Sequence, residues 1–228
     1  VASGNHDVRA IALDAAGNAT TSSARTIRVS NSAEAQAAAQ QRANTDLNGD
    51  GLADLLFQHT TGPLHSWFMD GSRRIGERTP SPSMVVPAWQ AAGLDDFNAD
   101  GKGDVLWQHR TTGQLAIWIL DGTQLSIETG VAAGAHSTWK VAATGDVNGD
   151  GHTDIIWQHP QSGVTKVWLM YFWSLVTETG VSPWRAEPNA RVAAAGDFNH
   201  DGRDDLVWQD RQTGAVSIWY IGADGRTA

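Results

Sequence analysis

The chain contains no cysteine. Disulfide staples, thiolate metal sites and a cysteine nucleophile are therefore excluded, and any stapling of the fold must come from oxygen ligands. Charged residues are sparse, at 18% of the total, and the net charge of −9 argues against a nucleic-acid partner. No apolar run approaches the roughly 20 residues that a spanning helix needs, so no membrane insertion is expected. Val1 opens no signal-peptide pattern, and any export signal is expected outside these 228 residues. What the chain has in excess is tryptophan, 11 residues, in a length able to bury one core or little more.

It also repeats itself. Acidic nonapeptides of the form D-x-N-x-D-G-x-x-D begin at Asp46, Asp96, Asp146 and Asp197, reading DLNGDGLAD, DFNADGKGD, DVNGDGHTD and DFNHDGRDD, at spacings of 50, 50 and 51 residues. One such loop could be chance, whereas four in register define an architecture. Twelve of the 25 acidic residues stand at positions 1, 5 and 9 of these loops, so four divalent ions would bring the formal charge near −1.

Aligned on the first Asp, each copy shows the same surroundings. A small-residue stretch precedes the loop (PAWQAAGLD, STWKVAATGD, NARVAAAGD), and an alternating run ending in an aromatic and Gln follows it (LLFQH, VLWQH, IIWQH, LVWQD). A Gly-containing turn then leads to a second alternating run that carries Trp67, Trp118, Trp168 or Trp219, and a last stretch such as LSIETGV completes the unit. Period-2 alternation punctuated by Gly and Asp predicts four antiparallel strands per repeat, and helix signals are missing. The fold class is therefore all-β, with four β-propeller-type blades forming a four-bladed ring or part of a larger propeller. The Ala- and Gly-rich first strand suits a crowded central axis. The aromatic pairs Phe57 with Trp67, Trp107 with Trp118, Trp157 with Trp168 and Trp208 with Trp219 suit packing between neighbouring sheets.

The acidic loop offers carboxylates at positions 1, 5 and 9, an amide oxygen at 3 and a backbone carbonyl at 7, with Gly at 6 permitting the tight turn. That shell of hard oxygens suits Ca²⁺ better than Mg²⁺ or a soft metal. A helix-loop-helix calcium loop would need Glu at position 12, where this chain has Phe57, Trp107, Trp157 or Trp208, so that reading fails. A metal-free turn rich in Asn-Gly and Asp-Gly is the simpler alternative, but a turn needs only two such residues, not three mutually repelling carboxylates.

With its loops and the D-h-h-W-Q run, the segment from residue 45 to about 222 resembles the FG-GAP or VCBS calcium-binding repeats, although no literal FG or GAP tripeptide occurs. The resemblance implies a propeller with about four Ca²⁺, each held in the hairpin between the first two strands of a blade. By motif match the ligands would be Asp46, Asn48, Asp50, Leu52 through its carbonyl, and Asp54; then Asp96, Asn98, Asp100, Lys102 and Asp104. The third and fourth sets would be Asp146, Asn148, Asp150, His152 and Asp154, and Asp197, Asn199, Asp201, Arg203 and Asp205. Residues 1–31 contain two strand-like runs around the turn AAGN and resemble the final hairpin of a bacterial immunoglobulin-like domain. Residues 32–44 read as an Ala-rich linker or short helix, and 45–228 as the four blades. Half an immunoglobulin-like domain cannot bury its own face. The chain is therefore expected to be cut from a longer protein, to close its last blade with the TIRVS strand, or to donate that hairpin to a neighbour.

No enzyme constellation emerges: there is no G-x-S-x-G or H-E-x-x-H, and the carboxylates are assigned to metal. His59, His109 and His159 recur after the Gln, with Asp210 in the fourth copy, which fits a structural hydrogen bond. One repeat breaks the pattern. The turn after the third strand reads MDGS, then LDGT, then MYFW, which places Tyr171, Phe172 and Trp173 at a hairpin tip, with Trp184 in the following loop. Aromatics at a tip suit sugar rings or a protein neighbour. Two functions are thus expected for an extracellular or cell-surface chain: non-catalytic recognition or adhesion with a glycan or protein ligand, or a structural subunit of a calcium-hardened fibre that self-assembles by N-terminal strand donation.

Overall fold

The computed structural model describes residues 4–8, 11–13, 19–21, 25–29, 45–131, 136–180 and 189–222, which hold eighteen β-strands and no helix. The chain divides into two compact units, Val1–Arg42 and Ala43–Ala228. In the first, β1 (Gly4–Val8) pairs antiparallel with β4 (Arg25–Val29), and β2 (Ile11–Leu13) pairs with β3 (Ala19–Thr21). The expected linker at 32–44 lies outside the described residues.

The second unit is a succession of antiparallel meanders, one per acidic loop. Blade I holds β5 (Leu55–Gln58), β6 (Leu64–Asp70) and β7 (Arg73–Arg78). Blade II holds β8 (Trp89–Asp95), β9 (Asp104–His109), β10 (Leu115–Asp121) and β11 (Gln124–Gly130). Blade III holds β12 (Lys140–Gly145), β13 (Asp154–Gln158), β14 (Thr165–Tyr171) and β15 (Ser174–Gly180), and blade IV holds β16 (Ala190–Gly196), β17 (Asp205–Asp210) and β18 (Val216–Trp219). Blades II and III thus have the four strands expected of a propeller-type blade, and blades I and IV have three among the described residues.

The core lies between blades. Because successive side chains of a strand point to opposite faces, Val105 and Trp107 of β9 pack back with Leu47 and Leu64, while Leu106 packs forward with Ile155 and Trp157 of blade III. In the same way Ile156 and Val167 of blade III meet Leu206 and Trp208 of blade IV. A blade flanked on both sides is covered on both faces, which is why its second strand reads as a continuous apolar run. The aromatic pairs form as the sequence implies, with ring centroids 4.9 Å apart for Trp107 and Trp118, 4.8 Å for Trp157 and Trp168, and 4.6 Å for Trp208 and Trp219. Phe57 departs from the expected burial. It pairs with Trp67 at 4.7 Å but is exposed, because no described residue packs as a preceding blade would against its face.

The small residues of the first strands let these strands approach each other. β8 lies beside β12 and β12 beside β16. A methyl group placed on Gly93 of β8 would fall 2.7 Å from Cγ2 of Thr144 in β12, too close for any larger residue.

In blades I to III a glutamine at the end of the second strand locks the blade to the next one. Nε2 of Gln58 donates to the Trp89 carbonyl (2.9 Å), and its Oε1 accepts the Ala91 N–H (2.9 Å). Gln108 makes the same pair with Trp139 (2.9 Å) and Val141 (3.4 Å), and Gln158 with Ala190 (3.2 Å) and Val192 (3.3 Å). Each accepted N–H sits at a register shift of the receiving strand, between Ala91 and Gly93, Val141 and Ala143, or Val192 and Ala194. The bulge frees backbone groups from the ladder, and the side-chain amide satisfies them. Gln108→Ala leaves two backbone groups without this partner and is expected to cost about 1–3 kcal/mol in chemical denaturation. Gln209→Ala, where the amide oxygen meets Arg191 instead, is expected to change stability by no more than about 0.5 kcal/mol.

Candidate functional site

The four acidic loops have one geometry. The position-1 carboxylate is wrapped by the backbone of its own loop: in loop I, Oδ1 of Asp46 accepts the Gly49 N–H (2.7 Å) and Oδ2 accepts the Gly51 N–H (2.6 Å). The N–H at position 5 points at two oxygens together, Asp46 Oδ1 (3.3 Å) and Asn48 Oδ1 (2.8 Å). Asp100, Asp150 and Asp201 repeat this pattern with Asp96 and Asn98, Asp146 and Asn148, and Asp197 and Asn199. The Asn amide nitrogen donates to the position-5 carboxylate in all four loops, at 2.9 to 3.1 Å. The other oxygen of that carboxylate accepts the N–H of Leu52, Lys102, His152 or Arg203 at 2.9 Å.

The position-9 aspartate plays a different part. It is buried, and its two oxygens join separate elements. Asp154 accepts the N–H of Val147 in its loop (3.1 Å) and that of Met170 in β14 (2.9 Å). Asp54 joins Leu47 to Met69, Asp104 joins Phe97 to Leu120, and Asp205 joins Phe198 to Ile221. Met69, Leu120 and Met170 follow register shifts in their strands, so the carboxylate takes an N–H that the ladder has released. Burial outweighs the two N–H bonds and raises the pKa of each carboxyl: that of Asp104 rises to about 7 and that of Asp154 to about 8, and that of Asp54 is raised as well.

Thus the structure gathers positions 1, 3 and 5 around one turn and commits position 9 to a backbone bridge. Among the described residues no group of three or more His, Cys, Asp or Glu side chains has metal-holding geometry. The donor chemistry nonetheless fits a hard dication. The oxygens of positions 1 and 3 converge on a single N–H in every loop, and a carboxylate oxygen that accepts one hydrogen bond keeps a second lone pair.

The loops also hold each other. The Gly103 N–H of loop II donates to the Asp46 carbonyl (2.7 Å), Thr153 Oγ1 to the Asp96 carbonyl (2.9 Å), and the Asp204 N–H to the Asp146 carbonyl (2.7 Å). Position 8 of one loop therefore anchors position 1 of the loop before it.

Beside the loops stand the tips of the third hairpins. Lys102 Nζ lies 2.5 Å from Asp121 Oδ1 at the tip of blade II, which holds that carboxyl below its usual range. In blade III the equivalent pair is His152 and Tyr171, stacked edge-on at 4.5 Å, with Phe172 at 4.6 Å from the same imidazole. The two-residue turn needs a positive φ at its first residue, which Gly71 (59°) and Gly122 (66°) supply in blades I and II. Phe172 adopts φ 53° without glycine's freedom, a strain of roughly 1–2 kcal/mol. Tyr171 is 57% exposed and Trp173 36%. Trp184 lies outside the described residues. The pairing of His152 with the tip has a signal in the sequence, since Lys gives way to His at position 7 where Asp gives way to Tyr.

The recurring histidines cap turns. Nδ1 of His109 accepts the Thr112 N–H (3.1 Å) and Nδ1 of His159 accepts that of Ser162 (3.3 Å), while Asp210 Oδ1 takes the same place for Gln212 and Thr213.

Two family models match the chain: an FG-GAP-like repeat over residues 96–157 and an FG-GAP repeat over residues 189–219. No curated protein matches it. Among solved structures, the Photorhabdus luminescens Tc holotoxin pore is similar over 75% of this chain, with 14% identity and a TM-score of 0.49. The chain spans 8% of that protein's length.

Asp154→Asn keeps one acceptor but turns an amide NH₂ toward a buried N–H. It is expected to cost about 1–3 kcal/mol in denaturant titrations with or without chelator. Asp150→Ala, which alters the turn alone, is expected to act mainly through whatever stability metal adds.

Proposed function

We infer from what this chain is, a member of the FG-GAP repeat family built of β-propeller-type blades, that it is a calcium-stabilised recognition module without catalytic activity. FG-GAP repeats are typically extracellular, and among the described residues no helix is long and apolar enough to cross a membrane. The reading places the module outside the cell or at its surface, with a glycan or protein ligand.

The observation that carries it is the tip of blade III. A strained, exposed aromatic cluster stands where the other complete hairpins use an Asp-Gly turn that costs nothing. Backbone strain of this kind persists where the surrounding structure enforces it and is concentrated at working sites. Rings presented this way offer flat apolar faces to the C–H face of a sugar or to an apolar anchor of a protein. His152 ties the cluster to the third acidic loop, so an ion held by Asp146, Asn148 and Asp150 would stiffen the base on which the rings stand.

Calcium would serve as scaffold. Each loop links the first hairpin of a blade to its third strand in a chain without disulfides. Occupancy tens of times above the dissociation constant adds about 2 kcal/mol per site. Chelation with EDTA is therefore expected to lower the melting temperature strongly, with metal released in stoichiometric amounts by mass spectrometry; an unchanged melting curve would refute the metal assignment.

The recognition site has its own test. The triple replacement Tyr171→Asp, Phe172→Gly and Trp173→Thr restores the turn of blade II. It is expected to abolish binding on a glycan array or in pull-downs while raising stability by about 1 kcal/mol, as the positive φ passes to glycine. Retained binding would move the site elsewhere.

A further inference from the structure

We propose that His136 is an acid-sensitive latch at the junction of blades II and III, which it holds as a neutral imidazole and releases when it takes up a proton.

The same plan is used at two junctions. A methyl group on Gly62 would run into the Val85 carbonyl, and one on Gly113 into that of His136, so a turn of each blade lies hard against the residues that lead into the next. A carbonyl there accepts the N–H of a tryptophan at the start of the following blade, Val86 that of Trp89 (2.9 Å) and His136 that of Trp139 (3.0 Å). Between blades I and II the side chains at this place are apolar: Val85 belongs to the cluster of Trp107 and Trp118, and Ala116 pairs with Trp107. Between blades II and III both have changed together. His136 sets its ring edge-on against Trp157 and Trp168, with centroids 5.6 and 5.2 Å away, and Lys166 pairs with Trp157 as Ala116 does with Trp107.

Lys166 is only 9% exposed. Its ammonium donates to Glu178 Oε2 (2.7 Å), lies 4.6 Å from the centroid of the Trp139 ring and stands 3.4 Å from His136 Nε2. An ammonium only donates, so Nε2 offers its lone pair and the ring carries its proton on Nδ1. A second proton would set an N–H donor against a buried ammonium. One carboxylate faces both groups, and it already accepts the Trp168 Nε1–H (2.7 Å). The other ionisable groups around the junction have their own partners: Arg110 bonds Pro87 and Gln90, Lys140 the Arg110 carbonyl, and His159, its ring on Trp139, the turn at Ser162. Burial, and after it the Lys166 ammonium, hold the His136 pKa below its usual value against the pull of Glu178. A histidine of this kind contributes stability that is fully present above about pH 6.5 and is lost as pH falls to its folded value. The latch stands at the open end of the hairpin β14–β15, whose turn carries Tyr171, Phe172 and Trp173.

An NMR titration of the full chain tests this. The His136 ring is expected to take its proton with a midpoint below about 6.5, and Lys166→Ala, which copies Ala116 of blade II, to move that midpoint up. Across the midpoint the hydrogen-exchange protection of the Trp139 N–H should fall, while that of the Trp89 N–H, held by Val86, should stay. His136→Gln keeps an acceptor for Lys166 that does not titrate. It should abolish the loss at Trp139 and show a smaller acid decrease of melting temperature than the parent, with the aspartates contributing equally to both. A midpoint at or above about 6.5, a ring that takes no proton before the chain unfolds, or unchanged protection of Trp139 across the midpoint overturns the proposal. An acid loss undiminished in His136→Gln overturns it equally.

Discussion

One buried carboxylate per blade carries much of the order of this fold. Asp54, Asp104, Asp154 and Asp205 each accept one N–H from the acidic loop and a second from the end of the third strand or, for Asp205, from Ile221 just beyond it. A loop that would otherwise hang from the rim is thereby fixed to the sheet, and the loop in turn anchors the loop of the preceding blade. The cost of burying a carboxylate is visible in Asp104 and Asp154, whose pKa values are pushed up to about 7 and about 8. The bridge also explains why the third strands tolerate a register shift, since the N–H released there has a permanent acceptor.

The second constraint is that a flat apolar sheet needs a neighbour on each side. Side chains from the first, second and third strands interdigitate between blades, and glutamines complete the contact with side-chain hydrogen bonds at bulges. Repeat architectures gain their stability from such nearest-neighbour interfaces. The proposed recognition site lies elsewhere, where a single hairpin exchanges its glycine for phenylalanine.

Much of this was legible in the residues. Four nonapeptides in register announced four units, alternation announced strands, and the D-h-h-W-Q runs announced sheets buried on both sides. The histidines read as structural and cap turns. The partners of the bridging side chains were not legible. Gln58 and Trp89 lie 31 residues apart, and nothing in the local pattern tells a glutamine which strand it will reach. The exposure of Phe57 was hidden for the same reason, since it occupies the position that buries tryptophan in the other blades. The loop aspartates look alike in sequence, and only the fold separates the turn-forming positions 1 and 5 from the bridging position 9.

The amino-acid sequence by itself determined the number and kind of units, the all-β class, and the turns at the acidic loops, because these follow from local periodicity and from what Asp, Asn and Gly do within a few residues. Tertiary structure alone decided which face of each blade is covered, which glutamine locks which strand, and that His152 supports the aromatic tip. Those outcomes depend on groups tens of residues apart meeting at hydrogen-bonding or van der Waals distance, and burial is a property of the neighbour as much as of the residue.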